Sequence, residues 1–295
     1  MNKKLTVKRL IIFLTISFLP FLIIVPIAWG CFGEPIYVSD KTEVINFVSV
    51  LGGLGMMIPA AAHLLTRLIT KEGFRNTYLG LNFKGHAGWY ILSVVEKLIE
   101  GAVAFLLIYA VFLSDIPFPE LFVSDGLTRN IGLYLLQLSF SIIIFIPAFG
   151  EEWGWQGYMM PKLFELMPKP AAVIVGGIIW GLWHAPLTVA GHNYGVDYPG
   201  YPFVGIGLMC ISCVGMNALL TLLTEKTHSI YPASFCHMVN NHFPPGIFLG
   251  LFGSEAAMMK YSEVTVMEQI PVMMIPELVV GIVCFILLIK KPKSE

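Results

Sequence analysis

Charge is what this sequence has least of: 13% of its 295 residues are Asp, Glu, Lys or Arg, against 56% hydrophobic, and the mean hydropathy is +0.76. Soluble domains carry about 25% charged residues, so a water-soluble globule is excluded. With 18 basic against 19 acidic residues there is no cationic surplus, and nucleic acid is not expected as a partner. No Ser- or Pro-rich linker divides the chain and no loop is long enough for a second globule, so residues 1–295 read as one integral membrane domain. Repeats at a fixed spacing are also absent, which counts against an inverted-repeat transporter. The five cysteines, Cys31, Cys210, Cys213, Cys236 and Cys284, are scattered mostly through apolar runs. They read as small hydrophobes, the Cys210 and Cys213 pair included.

Long apolar runs are what the chain has instead. A bilayer core takes about 20 mainly apolar residues per helical span. Such runs lie near 10–30, 45–66, 89–113, 131–153, 171–190, 203–224, 229–251 and 271–289. They predict an all-α polytopic membrane helix bundle of about eight transmembrane helices. With the N-terminus inside, the inner segments hold fourteen Lys and Arg and the outer segments three, Lys41, Arg129 and Lys260. Cytoplasmic loops hold such an excess, so both termini are expected in the cytoplasm. The first run lacks a small-residue cleavage site and reads as a retained signal anchor. A multi-pass protein of the bacterial plasma membrane, with the lipid bilayer as its surroundings, is the expectation.

Ionisable groups within such runs are expensive, by roughly 2.5–3.5 kcal/mol on insertion scales, and mark candidate sites. Glu96, Lys97 and Glu100 lie near an inner helix end and read as interface residues or as partners of one another, and Glu277, near an outer end, reads as an interface residue. His63, His86 and His192 read as surface or interface histidines. Three other positions converge. At about 1.5 Å of rise per residue, Glu151 lies roughly 17 Å, His184 roughly 20 Å and His237 roughly 12 Å from the inner ends of their spans. Three helices thus bring Glu, His and His to a similar level. Such a set supplies a base for water, groups to steady an oxyanion, or metal ligands. His237 and Asn241 share a helical face, while Glu152 and Gln156, four residues apart, are expected to touch.

EEWGWQGYMMPKL (151–163), WGLWHAP (180–186) and SIYPASFCHMVNNH (229–242) together resemble the CPBP family, the type II CAAX prenyl endopeptidases and their Abi bacteriocin-immunity relatives. Its pattern is EExxxR, an aromatic residue with His four positions on, then HxxxN or HxxxD, on separate membrane helices. The resemblance covers roughly residues 130–251, the expected catalytic core. It implies catalytic roles for Glu151, Glu152, His184, His237 and Asn241, with Trp180 and Gln156 supporting. It leaves open whether a divalent metal such as zinc, with His184 and His237 as ligands, takes part or none does, and no HExxH signature is present. Gln156 departs from the motif Arg. An arginine there is expected to keep Glu152 ionised, so glutamine suggests a weakened enzyme in which Gln156→Arg raises activity.

The resulting expectation is an intramembrane endopeptidase, CAAX protease-like and of metallo- or glutamate type, acting on peptides or membrane-anchored proteins. Its cavity is expected to open towards the cytoplasm or the lipid. The rival is a non-catalytic bacteriocin-immunity or scaffold protein of the same fold. A third reading, an ion- or proton-coupled transporter, rests on the same buried acids.

Overall fold

The computed structural model describes residues 2–32, 53–121, 132, 141–242 and 253–290. They form a helical bundle: α1 Lys3–Phe32, α2 Ile58–Ile69, α3 Ala87–Ile108, α4 Ser141–Gly154, α5 Met160–Leu166, α6 Lys169–Trp183, α7 Ala185–Val189, α8 Phe203–Thr227, α9 Tyr231–His242, α10 Glu255–Ser262 and α11 Val266–Ile289. Three helices among the described residues are long and apolar enough to cross a membrane: Lys3–Ala28, Phe203–Thr227 and Val266–Ile289. Gly53–Ile69 and Lys169–Trp183 are shorter apolar helices. The second, fourth and seventh runs of the sequence fall partly outside the described residues.

Small residues decide how closely the helices approach. In α6, a Cβ on Gly177 would stand 2.4 Å from the Val214 Cα, and one on Gly181 2.5 Å from the Cys210 Cα. These glycines let α6 lie against α8 backbone to backbone, and the α6–α8 pair is the most extensive in the bundle. Gly154 serves the same end in α4, where a Cβ would meet the Pro59 backbone of α2 at 2.5 Å. Gly150, one turn earlier, faces Met56 and Met57. The two glycines bracket Glu151 and Glu152, so α2 is fixed directly behind them.

α4 does not end as the apolar run suggests. It passes into a π turn at Trp155–Met159 and continues as α5. Pro161 supplies the reason: it has no N–H for the Gly157 carbonyl, and its ring crowds that carbonyl, so the α ladder cannot run through this point.

Charge gathers at one end of the bundle. Glu72 accepts from Lys162 at 2.6 Å and from Tyr158 at 2.9 Å, and lies 3.3 Å from Arg9. Lys169 pairs with Glu225 at 2.7 Å. Burial alone would raise the Glu72 carboxyl, but the Lys162 and Tyr158 hydrogen bonds outweigh it and hold the group below the usual carboxylate range.

A second polar group lies within the bundle. Lys97 is buried and donates to both Glu100 oxygens, at 3.1 and 2.9 Å. Glu277 stands in the middle of α11, not near its end, and accepts from Ser212 at 2.8 Å. The Lys97–Glu100 contact agrees with the expectation that these residues pair with one another, whereas the interface placement expected for Glu277 is corrected: helix packing shields it, and its partner lies within the bundle.

Candidate active site

Glu151 and Glu152 follow one another on α4 and face different neighbours, as the rotation of about 100° per helical residue requires. The Glu151 Oε2 accepts from the Trp180 indole at 2.8 Å and from the Trp155 indole at 3.2 Å. Its Oε1 has no hydrogen-bond partner among the described residues. Glu152 turns to α9, where its Oε1 accepts from the His237 Nδ1–H at 2.7 Å. Both carboxylates are buried, and the Glu152 Oε2 is sealed from solvent without a partner among the described residues.

The histidine tautomers follow from their neighbours. A carbonyl can only accept, so the 3.0 Å contact with the Trp180 carbonyl places the His184 proton on Nδ1 and leaves Nε2 with its lone pair. His237, with Nδ1–H on Glu152, likewise keeps Nε2 for another partner. The Trp180 ring lies edge-on to His237 at 5.4 Å, so this one residue touches both Glu151 and the histidine that holds Glu152.

A cavity of about 470 Å³ opens beside these groups. Glu151, His184, His237 and Asn241 line it, whereas Glu152 stands behind His237. Its sides are apolar, with Phe21, Trp183, Leu187, Met209 and Met216. Asn241 is exposed, and its Oδ1 accepts from the Asn240 amide at 3.5 Å. His192 also lines the cavity, stacked on His184 with ring centroids 6.4 Å apart, which corrects its reading as a surface residue. Burial pushes His192 down to about 4, so this ring is neutral at neutral pH.

Gln156 is not where a four-residue helical spacing puts it. Its Nε2 donates to the Asn217 Oδ1 at 2.8 Å and its Oε1 accepts from Thr221 at 3.1 Å, both on α8. The expected contact with Glu152 is therefore overturned. The π turn is the physical reason, because it widens the helix between the two residues and swings Gln156 towards α8. Asn217 passes the network on, donating to the Val173 carbonyl at 2.8 Å.

His63, which reads in sequence as an interface residue, is fully buried behind the site. Its Nδ1 donates to the Trp153 carbonyl at 2.9 Å, at the edge of the π turn, and its Nε2 accepts from the Arg67 Nε at 2.6 Å. Arg67 is tied in turn to the Gly73 carbonyl at 2.7 Å and lies over the Tyr158 ring at 5.3 Å. The signal available in sequence was the four-residue spacing of His63 and Arg67 on one helical face. It pointed to a pair without identifying what the pair holds.

No group of three or more His, Cys, Asp or Glu side chains among the described residues is arranged to hold a metal ion.

Residues 134–243 match the family described as type II CAAX prenyl endopeptidase Rce1-like. The CAAX prenyl protease 2 of Methanococcus maripaludis is 29% identical over 101 residues, a stretch covering 34% of this chain and 37% of that relative. The matched segment contains Glu151, Glu152, His184, His237 and Asn241. The resemblance to the CPBP family carried by the three motifs is thus met independently, across the segment that builds the site.

Proposed function

We propose that this protein is an intramembrane endopeptidase that hydrolyses a peptide bond with water activated by Glu151. The observation that supports this most is the pairing of Glu152 with His237 at 2.7 Å beside a second carboxylate that lines the cavity. In this reading Glu151 takes a proton from water through the oxygen its two indoles leave unoccupied, and the hydroxide attacks the peptide carbonyl carbon. His237, as an imidazolium with the Glu152 carboxylate as its counter-charge, donates from Nε2 to the developing oxyanion, assisted by the Asn241 amide. As the C–N bond breaks, Glu151 returns the proton to the leaving nitrogen. His184, fixed by the Trp180 carbonyl, offers the Nε2 lone pair to a substrate N–H or to the water. The substrates are peptides or membrane-anchored protein segments.

Gln156 is the feature favouring a non-catalytic immunity or scaffold role. Its bonds to Asn217 and Thr221 weaken that reading, since the residue is engaged with α8, and Glu152 has His237 as its partner instead. They also reverse the expected effect of Gln156→Arg. Arginine has no acceptor for the Thr221 hydroxyl and brings a charge into a neutral buried network, so activity and thermal stability should both fall.

The test is incubation of purified protein with a fluorogenic peptide library, alongside Glu151→Ala and His237→Ala. Cleavage by wild type alone supports the proposal. Cleavage that persists in both variants, or none by any form, contradicts it.

A further inference from the structure

The cavity has a floor and a mouth, and they lie at different levels along α8. In the first half of this helix Met209, Ser212 and Met216 line the cavity. Next come Asn217 and Thr221, bonded to Gln156, and then Glu225, paired with Lys169. The Gln156 amide layer therefore separates the cavity from the end of the bundle that carries Glu225. This layer is buried and satisfied, with Gln156 2%, Asn217 1% and Thr221 1% exposed. At the mouth, Asn193 and Asn241 are exposed, while Glu151 and His237 at depth are 2% and 4% exposed.

The two ends also differ in charge. Beneath the floor lie Arg9, Arg67, Lys162 and Lys169, tied to α2, α5 and the segment after α2. At the mouth lie His192 and Asn193, and further along the same segment Asp197 lines a hollow with Thr265, Val266 and Met267 at the start of α11, beside Glu268. A Lys- and Arg-rich end faces the cytoplasm. From this we infer that the cavity opens to the outer side of the membrane, and that its substrate is a segment of an exported or surface-anchored peptide entering from outside. The inference rests on the hydrolytic reading above.

The lining narrows the segment further. It includes no Lys or Arg among the described residues, and His237, already paired with Glu152, faces the Glu151 carboxylate, which repels a terminal carboxylate. Asn193, Asn240 and Asn241 offer amides to a peptide backbone, and Phe21, Met56 and Leu187 take apolar side chains. An uncharged interior stretch fits these walls, and a free C-terminus does not.

Two exposed positions report the sides: Asp197, in the segment at the mouth, and Lys84, before α3. Asp197→Cys and Lys84→Cys are treated with a membrane-impermeant maleimide in right-side-out and inverted vesicles, with wild type as the blank. The same vesicles receive an uncharged fluorogenic peptide cleaved by the solubilised protein, capped at both ends. The inference expects Asp197→Cys to label in right-side-out vesicles, Lys84→Cys to label only in inverted ones, and the peptide to be cleaved only by right-side-out vesicles. Asp197→Cys labelling equal in both or confined to inverted vesicles, or cleavage by inverted vesicles, overturns it. If the solubilised protein cleaves no peptide, it is the hydrolytic reading that fails, and the labelling still decides which side the mouth faces.

Discussion

The two carboxylates of the Glu151–Glu152 pair receive different neighbours, and that difference assigns them different work. Glu151 has two indole donors on one oxygen and the cavity beside it, whereas Glu152 has His237 on one oxygen and no solvent. Trp180 is the residue that makes the arrangement specific, since its indole holds Glu151 and its carbonyl orients His184. Trp180→Phe keeps the ring and the carbonyl but removes the N–H. A hydrogen bond to a charged group contributes about 1.5–3 kcal/mol, so kcat should fall by about 10- to 100-fold with KM little changed. Steady-state kinetics on a cleaved peptide checks this. The motif residues themselves were legible in sequence because acids and histidines inside apolar runs are conspicuous. Which glutamate meets which histidine was not, because the pairing joins residues 85 positions apart on helices whose rotation the sequence leaves open.

Among the helices, the break between α4 and α5 matters most. Gly157 and Pro161 weaken the α ladder, and the π turn that results directs Gln156 to α8. Reading Glu152 and Gln156 as neighbours failed here, since a four-residue spacing implies contact only in an uninterrupted α-helix. α2 holds the turn from behind through His63 on the Trp153 carbonyl. His63→Ala should speed hydrogen exchange across residues 153–160 and lower kcat, and His63→Asn, whose amide donates from a similar position, should restore both in part. Mass spectrometry of the exchanged peptides reads the first effect even where no cleavage is measured. The close crossing of α2 and α4 gives a second expectation. Gly154→Leu cannot be seated against the Pro59 backbone, and overpacking of this kind costs roughly 1–3 kcal/mol or more, so the melting temperature in detergent should drop.

For the whole molecule, the apolar runs were legible as membrane helices, and the described ones are helical, α1, α8 and α11 with the length to span. The buried polar layers were less so, because a lysine or glutamate near a helix end reads as interfacial until its packing partners are known. At the charged end of the bundle, Glu72 joins α5, through Lys162, to α1, through Arg9. Its carboxyl is held below its unfolded value, so it stabilises the fold above about pH 4.3, and that contribution is lost as pH falls through the lower folded value. Thermal melts between neutral and acid pH should show a smaller acid loss in Glu72→Gln than in wild type.

The division of labour within the glutamate pair is tested most directly by single-turnover cleavage rates of wild type, Glu151→Gln and Glu152→Gln in one detergent, with melting temperatures on the same samples. The account predicts a fall of at least ~100-fold for Glu151→Gln, in which the base is lost. It predicts a smaller fall for Glu152→Gln, in which His237 keeps a hydrogen-bond partner but loses its counter-charge. A stably folded Glu151→Gln protein that cleaves at the wild-type rate would contradict it.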